Sequence, residues 1–402
     1  MKYLLILADG MADYPILELD NKTPLEFANT PYMDKLAENA LIGNVKTIPD
    51  NFPPGSDVAN LSVMGFEPSI YYTGRSPLEA ISMGVRLSDS DLAIRCNLVT
   101  LSSADKYNNR VMLDYSAGEI TNEEADILIN DIQNELGKNI FNFYAGISYR
   151  NLAVWSEGVN NQLRLTPPHD ILDKQITSYI PNGDNSDLLL DLMVKSNEIL
   201  ENHPVNIKRK AAGKNPANSI WLWGEGHNPA LPSFKEKYNI NGSVVAAVDL
   251  VKGIGISAGL KSITVAGATG AIETNFAGKA QAALDELQNG QDFVYLHIES
   301  PDEAGHQGNM AKKIWAIEQI DKEVLGLIYS KIDNFAEIRI LLLPDHPTPI
   351  SVRTHTADPV PFILYDKNNL VNNKLGLYNE KTASEGIFLD SGSRLMDMFI
   401  GK

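Results

Sequence analysis

"DFVYLHIESPDEAGHQG", residues 292–308, decides the fold. Its first half is an apolar run of strand length. Its second half is a polar turn that sets Asp302 and His306 four residues apart. The same succession recurs at "KYLLILADG", which runs out into Asp9, and at "IRILLLPDHPTP", which runs out into Asp345 and His346. Strands that are apolar without alternation belong to parallel sheets covered on both faces. Further runs, "SIWLWG", "GSVVAAVDLV" and "SITVAGA", and helical stretches such as 276–289 and 310–331 give the alternating order of an α/β protein. "TPLEFANTPYMDKLAENA", after the first strand, carries helical spacing. Ligands of such sheets bind beyond the carboxyl ends of the strands, where these Asp and His residues stand.

The middle of the chain reads differently. "DLAIRCNLVTLSS", "VMLDYSAGEIT", "YRNLAVWSEG" and "LRLTPPHD" look like half-buried strands with loops, and helices are expected at about 121–136 and 184–201. The expected organisation is an α+β domain of residues 90–215 inserted into a core of residues 1–89 and 216–402. "KRKAAGK", 208–214, reads as a solvated loop at the domain junction.

Composition narrows the partners. The chain has 51 acidic and 34 basic residues, a net charge of −17, which argues against nucleic acid and anionic membrane. An anionic substrate would need metal ions or an arginine cluster to reverse that field. The single cysteine, Cys96, excludes a disulfide framework and a cysteine zinc site, and reads as a small buried apolar residue. Asp9 interrupts the apolar N-terminal stretch, and no apolar run reaches the roughly 18 residues of a spanning helix. A cytoplasmic protein without a signal peptide is expected.

Asp and His are preferred ligands of Zn²⁺, Mn²⁺ and related ions. On a helical turn, Asp302 and His306 share a face. Adjacent Asp345 and His346 can meet at one ion or serve two. One Asp–His pair is as a rule a hydrogen-bonded structural pair, but four of the seven histidines lie near acidic strand ends. Ser56, after "PPG" and before "DVANLSVMG", stands at a helix N-terminus, where amides favour an anion. It reads as a helix cap or as a nucleophile. "GATG", 267–270, lacks the Lys-Ser/Thr of a phosphate-binding loop.

The ordered set "ADG", "PPGSDVANLSVMGFEP", "YYTGRSPLEA", "RCNLVT", "YRN", "PPHD", "WLWGEG", "VDLVKGIGISAG", "GATG", "HIESPDEAGH", "PDHPTP" and "RTHTADPVPF" resembles the archaeal-type cofactor-independent phosphoglycerate mutases of the alkaline phosphatase superfamily. The resemblance spans nearly the whole chain. It implies an alkaline-phosphatase-like α/β core, a mainly parallel sheet sandwiched by helices, with an inserted α+β cap. It implies two divalent ions (Mn, Zn, Co or Mg), one on Asp9, Ser56, Asp345 and His346, the other on Asp302, His306 and His355. Ser56 becomes the nucleophile that takes the phosphoryl group of 3-phosphoglycerate and returns it to the other hydroxyl, without bisphosphoglycerate. Closure of the inserted domain would keep water out. Arg95, Arg150, His169 and Lys252 are the candidate substrate contacts, and Arg75 either joins them or pins a turn. The segment "LDYSAGEIT" departs from the family pattern: Ser116 and Glu119 stand where basic residues are expected. That departure leaves room for a related phosphotransferase, such as a homoserine-kinase-like enzyme, or for a phosphatase of the superfamily.

Overall fold

Residues Phe293–Ile298 form a strand buried along its whole length. It runs parallel to Lys2–Ala8 on one side and to Gly242–Val245 on the other. The computed structural model describes residues 1–137, 140–373 and 376–402. Eight strands form this sheet, in the order Lys261–Ile263, Gly242–Val245, Phe293–Ile298, Lys2–Ala8, Ile338–Leu343, Val360–Asp366, Ala40–Val45, Ile387–Leu389. Val360–Asp366 runs antiparallel to both neighbours, and every other pairing is parallel. The antiparallel strand contains Pro361, which cannot donate to a ladder. The residue lies past the register with Ile338–Leu343, which begins at Ile363. Helices such as Phe276–Gln288 bury Phe276, Ala280, Ala283, Leu284 and Leu287 in the core built on this sheet.

The chain divides into two compact units, Met1–Tyr72 with Ala230–Lys402, and Thr73–Pro229. The first holds the eight-stranded sheet. The second holds a five-stranded antiparallel sheet, in which Leu92–Leu101 pairs with Met112–Asp114, Arg150–Trp155 and Ser219–His227, and Phe141–Ile147 pairs with Arg150–Trp155. Leu92–Leu101 is buried at every residue, not half-buried as its sequence suggested. Helices Asn122–Leu136 and Ser186–Leu200 contribute Leu128, Ile132, Leu189 and Met193 to the core on one face. Ala80 of helix Ser76–Ser82 packs with Ala93, Leu152 and Val154 in a separate cluster. The boundaries expected at 90 and 215 therefore move outward. The helix before the first boundary and strand Ser219–His227 after the second both belong to this unit.

Other local expectations also change. "TPLEFANTPYMDKLAENA" is two helices, Pro24–Phe27 and Pro31–Ala37, because Pro31 disfavours helical backbone at Thr30. Asp321 accepts the amides of Tyr32 and Met33 at 2.9 and 2.7 Å and so closes the N-terminus of the second helix. "GSVVAAVDLV" divides into strand Gly242–Val245 and the start of helix Asp249–Ser257. "KRKAAGK" is not a loop: helix Pro204–Ala211 covers most of it, and Arg209 is buried. Cys96 is fully buried, and burial pushes its thiol far up. Among the described residues, no helix is long and apolar enough to cross a membrane.

Candidate active site

The carboxyl ends of three adjacent strands bring the polar residues together. Asp9 follows Lys2–Ala8, Asp345 and His346 follow Ile338–Leu343, and helix Ser300–His306 follows Phe293–Ile298. Gly10 allows the close approach this requires. Its φ is +62°, and a Cβ there would stand 2.7 Å from the Asp302 Cα.

Ser56 begins the helix Ser56–Val63, but the N-cap is Gly55 and no side chain caps the helix. The Ser56 hydroxyl is thus not spent as a cap. Its Oγ lies 3.0 Å from His346 Nε2. That nitrogen is also 3.3 Å from Asp345 Oδ2 and 3.6 Å from Asp9 Oδ1. Asn60, one turn along the same helix, donates to Asp345 Oδ2 and to the Ser56 carbonyl, both at 2.8 Å. Tyr295 in turn donates to Asn60 Oδ1 at 2.7 Å.

Asp302 and His306 meet across one helical turn, with His306 Nε2 3.2 Å from Asp302 Oδ2. His355 Nε2 lies 3.5 Å from Asp302 Oδ1 and 2.9 Å from His306 Nε2. His306 Nδ1 donates to the Arg353 carbonyl at 3.1 Å, so Nε2, which faces Asp302, is the nitrogen a metal ion would take once its proton is displaced. The two groups of residues are contiguous: Thr348 Oγ1 donates to Asp302 and lies 3.3 Å from His346 Nδ1.

This pocket concentrates negative charge in a buried place. Burial, and then the neighbouring Asp345, Glu299 and Asp302, raise the Asp9 carboxyl well above the usual range. Burial and Asp302 push Glu299 up to about 8. Burial also acts upward on Asp302, but hydrogen bonds from His306 and His355 outweigh it and hold that carboxyl well below the usual range. Its pairing with Asp302 raises His306 to about 9. Asp9 Oδ1 and Glu299 Oε2 are buried without a hydrogen-bond partner. Orphaned carboxylate oxygens among carboxylates and imidazoles are the donor chemistry of a divalent cation. Donor atoms of Asp9, Asp345 and His346 come within 4.8 Å of one another, as do those of Asp302, His346 and His355. The residues fit a metal centre.

A third such group, Asp9, His297 and Glu299, went unnoticed in the sequence. His297 Nε2 donates to Asp9 Oδ2 at 2.9 Å, and burial lowers the imidazole to about 3. The available signal was a lone histidine inside an otherwise apolar strand.

A relative from Geobacter sulfurreducens, a probable 2,3-bisphosphoglycerate-independent phosphoglycerate mutase, is 49% identical over the whole of both chains. The chain belongs to this mutase family. Residues 37–206 match the family model described as 2,3-bisphosphoglycerate-independent phosphoglycerate mutase. A Methanosarcina barkeri mutase of the same description is 49% identical over 96% of each chain. A solved structure of a Pyrococcus horikoshii protein superimposes with a TM-score of 0.84, at 32% identity, covering 100% of this chain and 96% of that one. The cofactor-independent phosphoglycerate mutase of Thermoplasma acidophilum gives 0.69 at 26% identity, covering 100% and 99%.

Most of the expected substrate contacts lie in the second unit. Arg95 is buried on strand Leu92–Leu101, its guanidinium 4.2 Å above the Trp223 ring. The His169 ring sits 5.3 Å from Trp223 and 6.1 Å from Tyr115, and burial lowers its pKa. Arg150 is exposed, with its guanidinium 5.7 Å from the Tyr149 ring. Lys252 belongs to the other unit, on helix Asp249–Ser257, with Nζ 3.3 Å from Asp249. The departing segment resolves into two roles. Ser116 is buried and its hydroxyl donates to Asp114 at 2.8 Å within a turn, whereas Glu119 is exposed with a left-handed φ of +49°.

Proposed function

We propose that the protein interconverts 3-phosphoglycerate and 2-phosphoglycerate through a phosphoserine at Ser56. The observation that carries this reading is the Ser56 hydroxyl, uncommitted to capping and 3.0 Å from His346 Nε2 at the start of a helix. In this reading Asp9, Ser56, Asp345 and His346 hold one divalent ion, and Asp302, His306 and His355 hold a second. Bound there, such ions would favour the serine alkoxide and neutralise phosphoryl oxygens.

Ser56 Oγ attacks phosphorus, and the bond from phosphorus to the C3 oxygen of glycerate breaks. The proton that leaves Ser56 ends on that oxygen. Glycerate stays bound and reorients. Its C2 hydroxyl then attacks the phosphoserine, the bond to Oγ breaks, and Ser56 regains a proton. The backbone amides at the start of helix Ser56–Val63 favour the extra negative charge at Oγ. The phosphoryl group is stored on the protein itself, so bisphosphoglycerate has no part to play. Arg95 and Arg150 supply the bidentate partners an anionic substrate needs, with His169 and Lys252 as further contacts.

The test is direct. The metal-loaded protein is incubated with 3-phosphoglycerate alone and followed by phosphorus NMR. The 2-phosphoglycerate signal should appear without added bisphosphoglycerate. Its absence with Mn²⁺, Co²⁺, Zn²⁺ and Mg²⁺ in turn rejects the proposal.

A further inference from the structure

The second unit carries a cluster of cations built around one carboxylate. Glu79, on helix Ser76–Ser82, accepts from Arg75 Nε at 2.8 Å through Oε1 and pairs with Arg95 Nε at 3.1 Å through Oε2. Burial acts upward on the Glu79 carboxyl, but Arg95, Arg75 and then Arg150 outweigh it and hold it below the usual range. Three guanidiniums thus act on a single carboxylate.

The backbone is shaped for this contact. The pairing of Leu92–Leu101 with Ser219–His227 shifts register between Ala93 and Arg95, the mark of a bulge. Opposite it, Gly224 has a φ of +62°, and a Cβ there would come within 3.3 Å of the Arg95 Cδ. The Ser76 hydroxyl bonds the Gly224 carbonyl, tying the helix that carries Glu79 to the bulge. Trp223 covers one face of the Arg95 guanidinium. A guanidinium held through Nε and by one ring face is fixed in plane, and its terminal nitrogens keep the fork geometry that takes a carboxylate or phosphate.

We propose that Glu79 is a positioning residue for substrate recognition. It presets Arg95, with Arg75 beside it, as the fork that receives the anionic end of the substrate. This rests on the mutase reading for the identity of that substrate. A buried ion pair of this kind adds little to stability by itself, so its value lies in orientation.

Glu79→Gln keeps the shape and removes the charge that aligns the two guanidiniums. With the metal-loaded full chain, KM for 3-phosphoglycerate should rise at least about tenfold, with kcat within about threefold, because uniform binding is lost. The metal concentration for half-maximal activity should not move. In an Arg75→Ala, Arg95→Ala background, Glu79→Gln should change KM by less than about twofold, since the carboxylate acts through these two guanidiniums. An unchanged KM in Glu79→Gln overturns the proposal, as does a fall in kcat at constant KM. Should Glu79→Gln not fold, Glu79→Asp, which keeps the charge but shortens the reach, is read by the same criteria. If the wild-type protein fails to interconvert the phosphoglycerates, the mutase reading falls separately. Glu79 is then judged by calorimetric binding of 3-phosphoglycerate: at least about tenfold weaker binding in the variant supports the role, and equal binding overturns it.

Discussion

The pocket beyond the parallel sheet and the cluster on the antiparallel sheet carry opposite charges. The first gathers Asp9, Glu299, Asp302 and Asp345. The second gathers Arg75, Arg95 and Arg150 around Glu79. Each holds like charges closer than their own interaction favours, and each calls for an opposite charge from outside. The acidic pocket suits cations and the basic cluster suits an anion. In the proposed reading, a chain with a net charge of −17 would recognise a phosphorylated acid through a positive field that is local.

The contrast can be broken most severely at Ser56, the proposed nucleophile. Ser56→Ala should lower interconversion by at least about 10⁴-fold, the scale seen when a covalent nucleophile is lost. Metal titration of the variant should still show binding through the remaining ligands. Activity within about tenfold of wild type would remove Ser56 from the mechanism.

The basic cluster should respond less. Arg95→Ala should lower kcat/KM by at least about thirtyfold, the lower end of the cost of truncating a buried charge partner. Arg150→Ala should cost less, because Arg150 is exposed and Arg95 is buried. Equal losses from the two variants would contradict the contrast drawn between them.

The acidic pocket has its own signature in the metal-free protein. Glu299 sits at about 8, above the unfolded carboxyl value of about 4.3. The folded state therefore keeps a proton that the unfolded chain has already lost. That stability is complete below about 4.3 and disappears as pH rises through about 8. His306, at about 9 against an unfolded value of about 6.5, has the same sign over a higher window. With chelator present, the melting temperature should fall as pH is raised from about 7 to about 9, above the window in which His297, lowered to about 3, acts in the opposite sense. Glu299→Gln should flatten the lower part of that fall, and adding Mn²⁺ should oppose it. A melting temperature that rises with pH over this range would be the contrary result.

The smallest effect belongs to Glu119. Its carboxylate is exposed, so replacing it with Arg should lower KM for 3-phosphoglycerate only about twofold, in keeping with screened surface charge. A tenfold or larger change, roughly 1.4 kcal/mol, would place Glu119 in direct contact with substrate.

What could be read in advance differs between the two regions for the same reason that their charges differ. Asp9, Asp345 and His346 were legible because they stand just past the carboxyl ends of apolar strands, and Asp302 because it lies in the polar turn after one, a pattern that local sequence carries whole. His297 was passed over because it lies inside such a strand, and its partner Asp9 comes from residues 288 positions away. Glu79 pairs with Arg75, four residues earlier, a spacing that the sequence alone displays. Its second partner, Arg95, appears only once the helix and the strand are packed.

The sequence by itself determined the α/β order, the Asp and His residues at the strand ends and the serine at a helix start, since apolar periodicity and chain-local chemistry fix these. Only the tertiary structure decided where the second unit begins and ends, because helix Ser76–Ser82 and strand Ser219–His227 are assigned by what they pack against. It alone freed the Ser56 hydroxyl from capping, by making Gly55 the cap. It alone set Glu79 between two guanidiniums, because a contact across a strand bulge depends on register and packing, which no short stretch of sequence records.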